Sequence, residues 1–361
     1  MSSSEKTGAQ ATMFTNRLKK RLNHLRKWAK RTDTGAFRLY DRDIPEIPLV
    51  LDLYGDVVSG ALYKRPYEKD ETEESEWLDA MKAAAAETLG LKPENIIIKR
   101  RQRQRLAGNS EKPQYKKIAA LGVERIINEG GLKFKVNLSD YLDTGLFLDR
   151  RVLRKAVCSE SEGKRVLNLF CYTAAFSVYT AAGGAVVTDS VDLSNTYLNW
   201  AKENFALNGI KTEILRQQDF FMEMEGKKQA EGNCRHRLIR ADVKVFLKKA
   251  AAAGLRYDII ILDPPAFSNS KMAGDFDLRL DYTELLADCL TLLTHNGKLI
   301  FSSGAHSFKV TDADIELILA KKFTGVSVIN NSDKYIDEDF KGRKIPKTFL
   351  VYKIRETRKT I

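Results

Sequence analysis

The stretch Tyr257–Phe267 constrains the fold most, because four large aliphatic residues are followed at once by an acid, two prolines and an aromatic residue. The aliphatic run Ile259 to Leu262 is typical of a strand buried on both faces, as in a parallel sheet covered by helices. Asp263 then falls at the carboxyl end of that strand, where open α/β sheets bind their ligands. We therefore predict an α/β fold with a Rossmann-like, doubly wound sheet built around this strand.

The residues after Asp263 are suited to hold a planar nitrogenous base. Neither Pro264 nor Pro265 has a backbone N–H, and both have a fixed φ, so the chain leaves the sheet stiffly with carbonyl oxygens free. Phe267 adds a flat apolar ring. A plain strand exit punctuated by prolines is the structural alternative.

Strand and helix patterns alternate from residue 138 to the end, which predicts one domain over 138–361 with the doubly wound sheet. Residues 13–137 read as a smaller α+β domain that opens with a basic amphipathic helix and closes with a hairpin. Residues 1–12 lack large apolar side chains apart from Met1, so we expect them to be disordered. The stretch 217–233 fits neither period and reads as an inserted surface loop.

Positive charge is concentrated in two segments of the smaller domain. The net charge is +12, but residues 14–31 hold eight Lys or Arg without an acid, and residues 99–117 hold eight more against one acid. Such clusters indicate a polyanion-binding surface, with a solvated lysine-rich face as the alternative. The predicted RNA contacts are Arg17, Lys20, Arg21, Lys27, Arg100, Arg101, Arg103, Arg105 and Lys271.

The cysteines and histidines indicate no metal site and no disulfide framework. The four cysteines form no CxxC pair, and the four histidines show no i,i+4 pairing. The N-terminus has no apolar signal region, and no run approaches the ~20 apolar residues of a membrane span. We expect a cytoplasmic protein without metal or membrane attachment.

The first βα turn and three strand ends indicate an adenosine-type cofactor without phosphates. The turn Phe170–Ala174 contains no glycine, so it does not fit the GxGxxG pattern that cradles a pyrophosphate. Asp192 at the end of the second strand is placed to accept ribose hydroxyls, and Asp242 at the third can face the adenine amino group. With Asp263, three acids stand at three strand ends, although each alone is as well explained as a helix cap. The pattern points to S-adenosylmethionine.

Several motifs resemble those of the class I 23S ribosomal RNA methyltransferases. The segments are Leu142–Arg150, Val166–Thr173, Val191–Ser194, Arg240–Asp242 and Leu262–Lys271, and the openings Met13–Leu18 and Phe37–Glu46 are similar too. Within that group the chain is similar to RlmK, the C-terminal, guanine-N7-methylating half of the bifunctional RlmKL enzymes, over nearly its whole length. The N2-guanine-methylating half has no counterpart here, which leaves room for a separate N2-guanine methyltransferase as a partner.

The resemblance implies methyl transfer from S-adenosylmethionine to guanine N7 in 23S ribosomal RNA or in an assembling large subunit. It implies cofactor contacts by Phe147, Asp149, Arg150, Asn168, Phe170, Tyr172, Thr173, Ala174, Asp192, Leu193, Ser194, Asp242 and Val243. It assigns the target base to Asp263, Pro264, Pro265 and Phe267. Two departures stand out: Ala174 replaces a usual glycine, and 217–233 has the character of an insertion.

Three alternatives remain. Exocyclic-amine methylation at guanine N2 also fits the Asp-Pro-Pro segment, whose oxygens can accept amine hydrogens. Cytosine-C5 methylation needs a cysteine nucleophile, and the strand expected to carry it, Phe301–Gly304, has none. A non-catalytic RNA-binding or assembly factor of the same fold is the third, motivated by Ala174.

Overall fold

The structure is a computed structural model that describes residues 2–63, 70–101, 117–226, 234–270, 274–305 and 308–353. The chain divides into two compact units, Met1–Leu148 with Asp337–Arg343, and Asp149–Ile336 with Lys344–Ile361. The first long segment therefore ends at Leu148, later than the predicted residue 137. The chain also enters the first unit a second time, which no sequence pattern indicated.

The first unit combines helices with a four-stranded sheet in the order β1-β2-β3-β4, in which only β3 and β4 are parallel. Two further strands of this unit, β5 and β6, form the predicted antiparallel hairpin. The elements are α1 (Ser3–Arg31), β1 (Ala36–Asp41), β2 (Leu49–Tyr54), β3 (Val57–Tyr63), α2 (Glu71–Leu89), β4 (Ile96–Arg101), β5 (Glu124–Glu129) and β6 (Leu132–Asn137).

Helix α1 begins at Ser3, so the expectation of disorder over residues 1–12 is wrong for the described residues of that range. The Ser2 hydroxyl accepts the N–H of Glu5 at 3.2 Å, and the Glu5 carboxylate accepts the N–H of Ser2 at 2.7 Å. This capping box supplies partners for N–H groups that a helix start leaves open. The buried side chains of α1 recur every three or four residues: Phe14, Leu18, Leu22, Leu25, Trp28 and Ala29.

Residues 337–343 are held in the first unit by charged side chains and backbone groups. The carboxylate of Asp339, which is fully buried, accepts the N–H of Arg38 at 2.9 Å, and its carbonyl accepts from Arg21 at 3.1 Å. Arg343 forms an ion pair with Asp43. The returning segment is therefore bonded to α1, to β1 and to the loop that follows it.

The second unit is the predicted doubly wound sheet. Within the described residues, eight strands run in the order β15-β16-β14-β11-β7-β8-β10-β9; the pairs from β14 to β9 are parallel, and β16 is antiparallel to both neighbours. The elements are α3 (Arg151–Ser159), β7 (Arg165–Leu169), α4 (Ala175–Ala182), β8 (Val187–Asp192), α5 (Asn195–Leu207), β9 (Glu213–Arg216), α6 (Gln217–Met224), β10 (His236–Arg240), α7 (Val243–Ala252), β11 (Tyr257–Leu262), β12 (Phe267–Ser270), β13 (Gly274–Asp277), α8 (Leu278–Leu292), β14 (Leu293–Ser303), α9 (Asp312–Ala320), β15 (Val326–Asn330) and β16 (Lys347–Lys353).

Strand β11 lies between β7 and β14, and its aliphatic side chains Ile259 to Leu262 are buried on both faces of the sheet, as predicted. Each fully buried side chain of this size contributes roughly 1.5–3 kcal/mol through the hydrophobic effect. The burial fixes the strand in register and brings Asp263 to the sheet's carboxyl edge.

The surface loop predicted over 217–233 is wrong for its first half, because residues 217–224 form α6. Phe220 and Phe221 are buried, and each ring centroid lies 5.6 Å from that of Phe246 on α7. Residues 227–233 lie outside the described part of the chain. Strand β9, an edge strand of four residues that directly precedes α6, was not predicted from the sequence.

Candidate active site

The carboxyl ends of β11, β7, β8 and β10 are neighbours in the sheet, so the segments after them meet along one edge. This edge carries Asp263, the turn after β7, Asp192 and Asp242. Open parallel sheets bind ligands at such an edge, at the point where the strand order reverses. Here the order reverses between β11 and β7, the two strands from which the connections run in opposite directions.

The turn after β7 adopts a backbone that side chains disfavour. Phe170, Tyr172 and Ala174 have φ values of 55°, 54° and 56°. Each is in the left-handed region, where a residue with a Cβ is strained by about 1–2 kcal/mol. Strain of this kind concentrates at binding sites and persists only where surrounding contacts hold it.

Asp192 supplies one of those contacts. Its carboxylate accepts the N–H of Tyr172 at 3.0 Å and the N–H of Ser194 at 2.9 Å. The Ser194 hydroxyl in turn accepts the N–H of Tyr197 at 3.3 Å and caps α5, as predicted. Burial raises the pKa of Asp192 to about 6, because it penalises the charged form more than these hydrogen bonds favour it.

Aromatic rings and a buried amide hold the rest of the turn. The ring of Tyr172 lies edge-on to Tyr197 at 4.4 Å between centroids and 6.4 Å from Trp200. Asn204 donates to the carbonyl of Thr173 at 3.0 Å. Thr173 and Ala174 are fully buried, so the turn's geometry is set by α5 as much as by its own residues.

Asp242 is a helix cap in this structure. Its carboxylate accepts the N–H of Val245 at 3.0 Å at the start of α7, and Val243 beside it is buried. The side chain therefore has a structural role at the third strand end, which is the alternative the sequence left open. Leu193, after Asp192, is partly buried at the same edge.

Asp263 and Arg150 form a bidentate ion pair. Nε and Nη2 of Arg150 donate to the two carboxylate oxygens at 2.9 and 2.8 Å, and the side chains are 8% and 18% exposed respectively. Asp149 is a weaker partner, 3.6 Å from the guanidinium. Although burial opposes it, the nearby carboxylates raise the pKa of Arg150 above its ordinary value. No sequence pattern links Arg150 to Asp263, although both residues are predicted site residues.

The segment beyond Asp263 forms the small hairpin β12–β13, with Pro264 buried and Phe267 39% exposed. Phe276 of this hairpin packs on Phe170 of the strained turn, with 5.1 Å between ring centroids. Lys244 lies over Phe276 at 5.6 Å. Phe276 and Lys244 were not predicted as site residues, because neither lies in a sequence motif.

Two further predicted cofactor residues, Asn168 and Phe147, have different surroundings. Asn168 is buried within β7, where its amide donates to Ser177 at 2.9 Å and Ser177 also accepts from Ser190. Phe147 belongs to the first unit and is 45% exposed. Asn168 is therefore placed to support the sheet interior.

The predicted RNA contacts divide into three groups. Arg17 pairs with Asp43 at 2.5 Å, and Arg21 donates to the carbonyls of residues 38, 39 and 339, so both guanidiniums are committed within the protein. Their contact with RNA stays a prediction. Lys20 and Lys27 are exposed, and Arg100 lies 3.7 Å from Glu74. The side chain of Arg101, with Arg103, Arg105 and Lys271, lies outside the described residues.

Within the described ranges, no group of three or more His, Cys, Asp or Glu residues could hold a metal ion. A membrane-crossing helix is likewise not found there, since no helix has the length and apolar character it would need.

The chain is similar to several known proteins. A family model described as S-adenosylmethionine-dependent methyltransferase matches residues 49–306. A relative from Neisseria meningitidis, named ribosomal RNA large subunit methyltransferase K, is 43% identical over 335 residues, covering 92% of this chain and 85% of its own. A Pseudomonas putida protein named ribosomal RNA large subunit methyltransferase K/L is 43% identical over 84% of this chain, which spans only 37% of that relative. Among solved structures, SMU.776 complexed with SAH superposes with a TM-score of 0.69 at 27% identity, covering 95% of this chain and 81% of its own.

Proposed function

Because the chain belongs to the S-adenosylmethionine-dependent methyltransferase family, we propose that it transfers a methyl group to guanine N7 in 23S ribosomal RNA. The observation that supports an RNA substrate most is the relative named ribosomal RNA large subunit methyltransferase K, which is 43% identical over 92% of this chain. The resemblance of the Asp-Pro-Pro-Ala-Phe segment to that of the guanine-N7-methylating enzymes supports guanine N7 as the acceptor.

The strand-end residues fit the adenosine part of the cofactor. A carboxylate can accept about four hydrogen bonds, so Asp192 keeps acceptor capacity for ribose hydroxyls after binding the N–H groups of Tyr172 and Ser194. The turn Phe170–Ala174 leaves no glycine cradle for a pyrophosphate, which favours a nucleoside over a dinucleotide. S-adenosylmethionine supplies an electrophilic methyl group on sulfonium sulfur.

The Arg150–Asp263 pair favours an acceptor that needs no base. Both carboxylate oxygens of Asp263 accept an N–H of Arg150, and a proton taken from an exocyclic amine would neutralise this acid and break the ion pair, so Asp263 is poorly suited to act as a base. Guanine N7 presents a lone pair in the ring plane and needs no deprotonation. In this proposal Asp263 and Arg150 fix the strand exit, and Pro264, Pro265 and Phe267 position the base.

Extrusion of the target base costs a few kcal/mol. Stacking on an exposed aromatic ring such as Phe267 returns about 1–3 kcal/mol, so the ring offsets much of that cost. Catalysis in this proposal is mainly alignment of the acceptor lone pair with the methyl group, together with exclusion of water.

The test is incubation of the protein with radiolabelled S-adenosylmethionine and unmodified 23S RNA, as transcript and as immature large subunits, followed by nucleoside analysis. We expect label in 7-methylguanosine. An Asp192→Asn variant should lose the label, whereas the matched variant Asp333→Asn, at an exposed position, should keep it. Label in N2-methylguanosine would replace the N7 acceptor by the exocyclic amine, and absence of label with both RNA forms would refute the reaction.

We also propose that a separate protein performs any N2-guanine methylation that the longer K/L relatives unite with this activity. The motifs in this sequence resemble those of only one half of the K/L relatives. Persistence of N2-methylguanosine in 23S RNA from cells lacking this protein would agree with that division.

A further inference from the structure

Six basic side chains of α1 form one exposed surface, here called the basic stripe: Lys19, Lys20, Arg26, Lys27, Lys30 and Arg31. At 3.6 residues per turn they fall within an arc of about 140°, opposite the buried side chains of the helix. At 1.5 Å per residue the stripe is about 18 Å long. The stripe is therefore a continuous feature, presented by a rigid element.

The charges of the basic stripe have no acidic partner in the part of the chain that the structure describes. Among the described residues, none of the six side chains forms an ion pair, and α1 contains one acid, Glu5, far along the helix. Other basic side chains of the same unit do pair, as Arg38 does with Asp52 at 2.6 Å and Arg125 with Asp56 at 2.7 Å. Pairing is thus common in this unit and missing on the stripe.

The chemistry of the stripe favours a phosphate backbone. Every exposed side chain between residues 19 and 31 is polar or charged, so this face has no apolar group to insert into a lipid surface. Lys and Arg at repeated helical spacing match a chain of phosphates, each of which releases a counterion when a cation replaces it.

We propose that the basic stripe binds the phosphate backbone of the RNA whose base is methylated; this inference rests on the proposed function. It assigns the binding to side chains different from Arg17 and Arg21, which bond within the protein. Phosphate contacts fix the position and orientation of the RNA without reading its sequence. The stripe therefore contributes affinity, and base selection stays with the strand-end site.

The test compares two triple variants of equal charge change. The stripe variant removes half of the basic stripe through Lys20→Gln, Lys27→Gln and Arg31→Gln. The control variant removes three exposed lysines outside α1 through Lys321→Gln, Lys322→Gln and Lys334→Gln. Binding of unmodified 23S transcript is measured by fluorescence anisotropy over a range of salt. Each phosphate contact contributes about 0.7–0.9 to the slope of the logarithm of the binding constant against the logarithm of the salt concentration. The slope of the stripe variant should therefore be smaller by roughly 2, and its affinity for RNA at 0.1 M salt should be about 100-fold lower. The control should keep the wild-type slope.

Calorimetry with S-adenosylhomocysteine checks that the site of the stripe variant is intact, and we expect wild-type affinity. An unchanged salt slope in the stripe variant, or an equal loss in both variants, would overturn the inference. Loss of binding to phosphatidylserine vesicles with RNA binding unchanged would overturn it in favour of a membrane. If the wild-type protein binds RNA through the stripe but labels no nucleoside, the stripe stands and the proposed reaction fails.

Discussion

Removal of Arg150 should destabilise the second unit strongly, because it leaves the carboxylate of Asp263 at the sheet edge without its counter-charge. The pair is bidentate at 2.8 and 2.9 Å, with side chains 8% and 18% exposed. Loss of one partner of a buried pair costs about 3–5 kcal/mol. For a domain of this size, each kcal/mol lowers Tm by roughly 2–4 °C, so Arg150→Met should melt roughly 6–20 °C below wild type.

A second variant separates loss of charge balance from loss of packing. Arg150→Met with Asp263→Leu removes both charges, and replacement of a whole buried pair by apolar side chains is often neutral or stabilising. We expect the double variant to recover most of the stability. Urea unfolding followed by circular dichroism at pH 7.5 gives the free energies.

The reasoning about this pair is refuted if Arg150→Met loses less than about 1 kcal/mol, well below the cost of a broken buried pair. It is also refuted if the stability lost in the double variant equals or exceeds the sum of the losses in Arg150→Met and Asp263→Leu measured singly, because the two charges would then show no favourable coupling.

The remaining predictions concern the turn, Asp192 and Phe267. Affinity for S-adenosylhomocysteine, measured by calorimetry, should be constant above about pH 7 and fall as the pH drops through about 6. The reason is that burial raises the pKa of Asp192 to about 6, and the ribose hydroxyls need the ionised carboxylate as acceptor. In Asp192→Asn this dependence of affinity on pH should disappear. Ala174→Gly should change the free energy of unfolding by less than about 1 kcal/mol, because the relief of left-handed strain is offset by chain entropy and by the loss of a methyl contact. Ala174→Val, which introduces a β-branched side chain at this φ, should lower the free energy of unfolding by more than about 2 kcal/mol. A valine variant as stable as wild type would contradict the turn geometry. Phe267→Ala should lower kcat/KM for RNA by roughly 10-fold to 100-fold with unchanged cofactor affinity, and an unchanged kcat/KM would remove Phe267 from the base site.

The sheet could be predicted from the sequence because its signals are local. Four aliphatic residues in a row identify β11, and Ser194 with the patterns around it identifies the β8–α5 unit. Ala174 could be flagged as needing φ > 0 only through the resemblance, and its φ of 56° shows that the turn keeps this conformation without glycine.

The sequence could not reveal features that join distant residues. The Arg150–Asp263 pair spans 113 positions, and Arg21 bonds to a carbonyl 318 positions away. A cluster of basic residues also does not show which members bond within the protein, as Arg17 and Arg21 do. Helix α6 was missed because its two buried phenylalanines are adjacent and show no helical spacing.

The second entry of the chain into the first unit has a consequence for synthesis on the ribosome. Residues 337–343 belong to the first unit, which otherwise ends at Leu148. Translation must therefore continue for about 190 residues, or roughly 10–40 s at bacterial rates, before the unit that was made first can be completed. The N-terminal unit is the first to emerge and the last to acquire all of its contacts, so a nascent chain released early would carry the basic helix α1 without the segment that Arg21 and Asp43 bind.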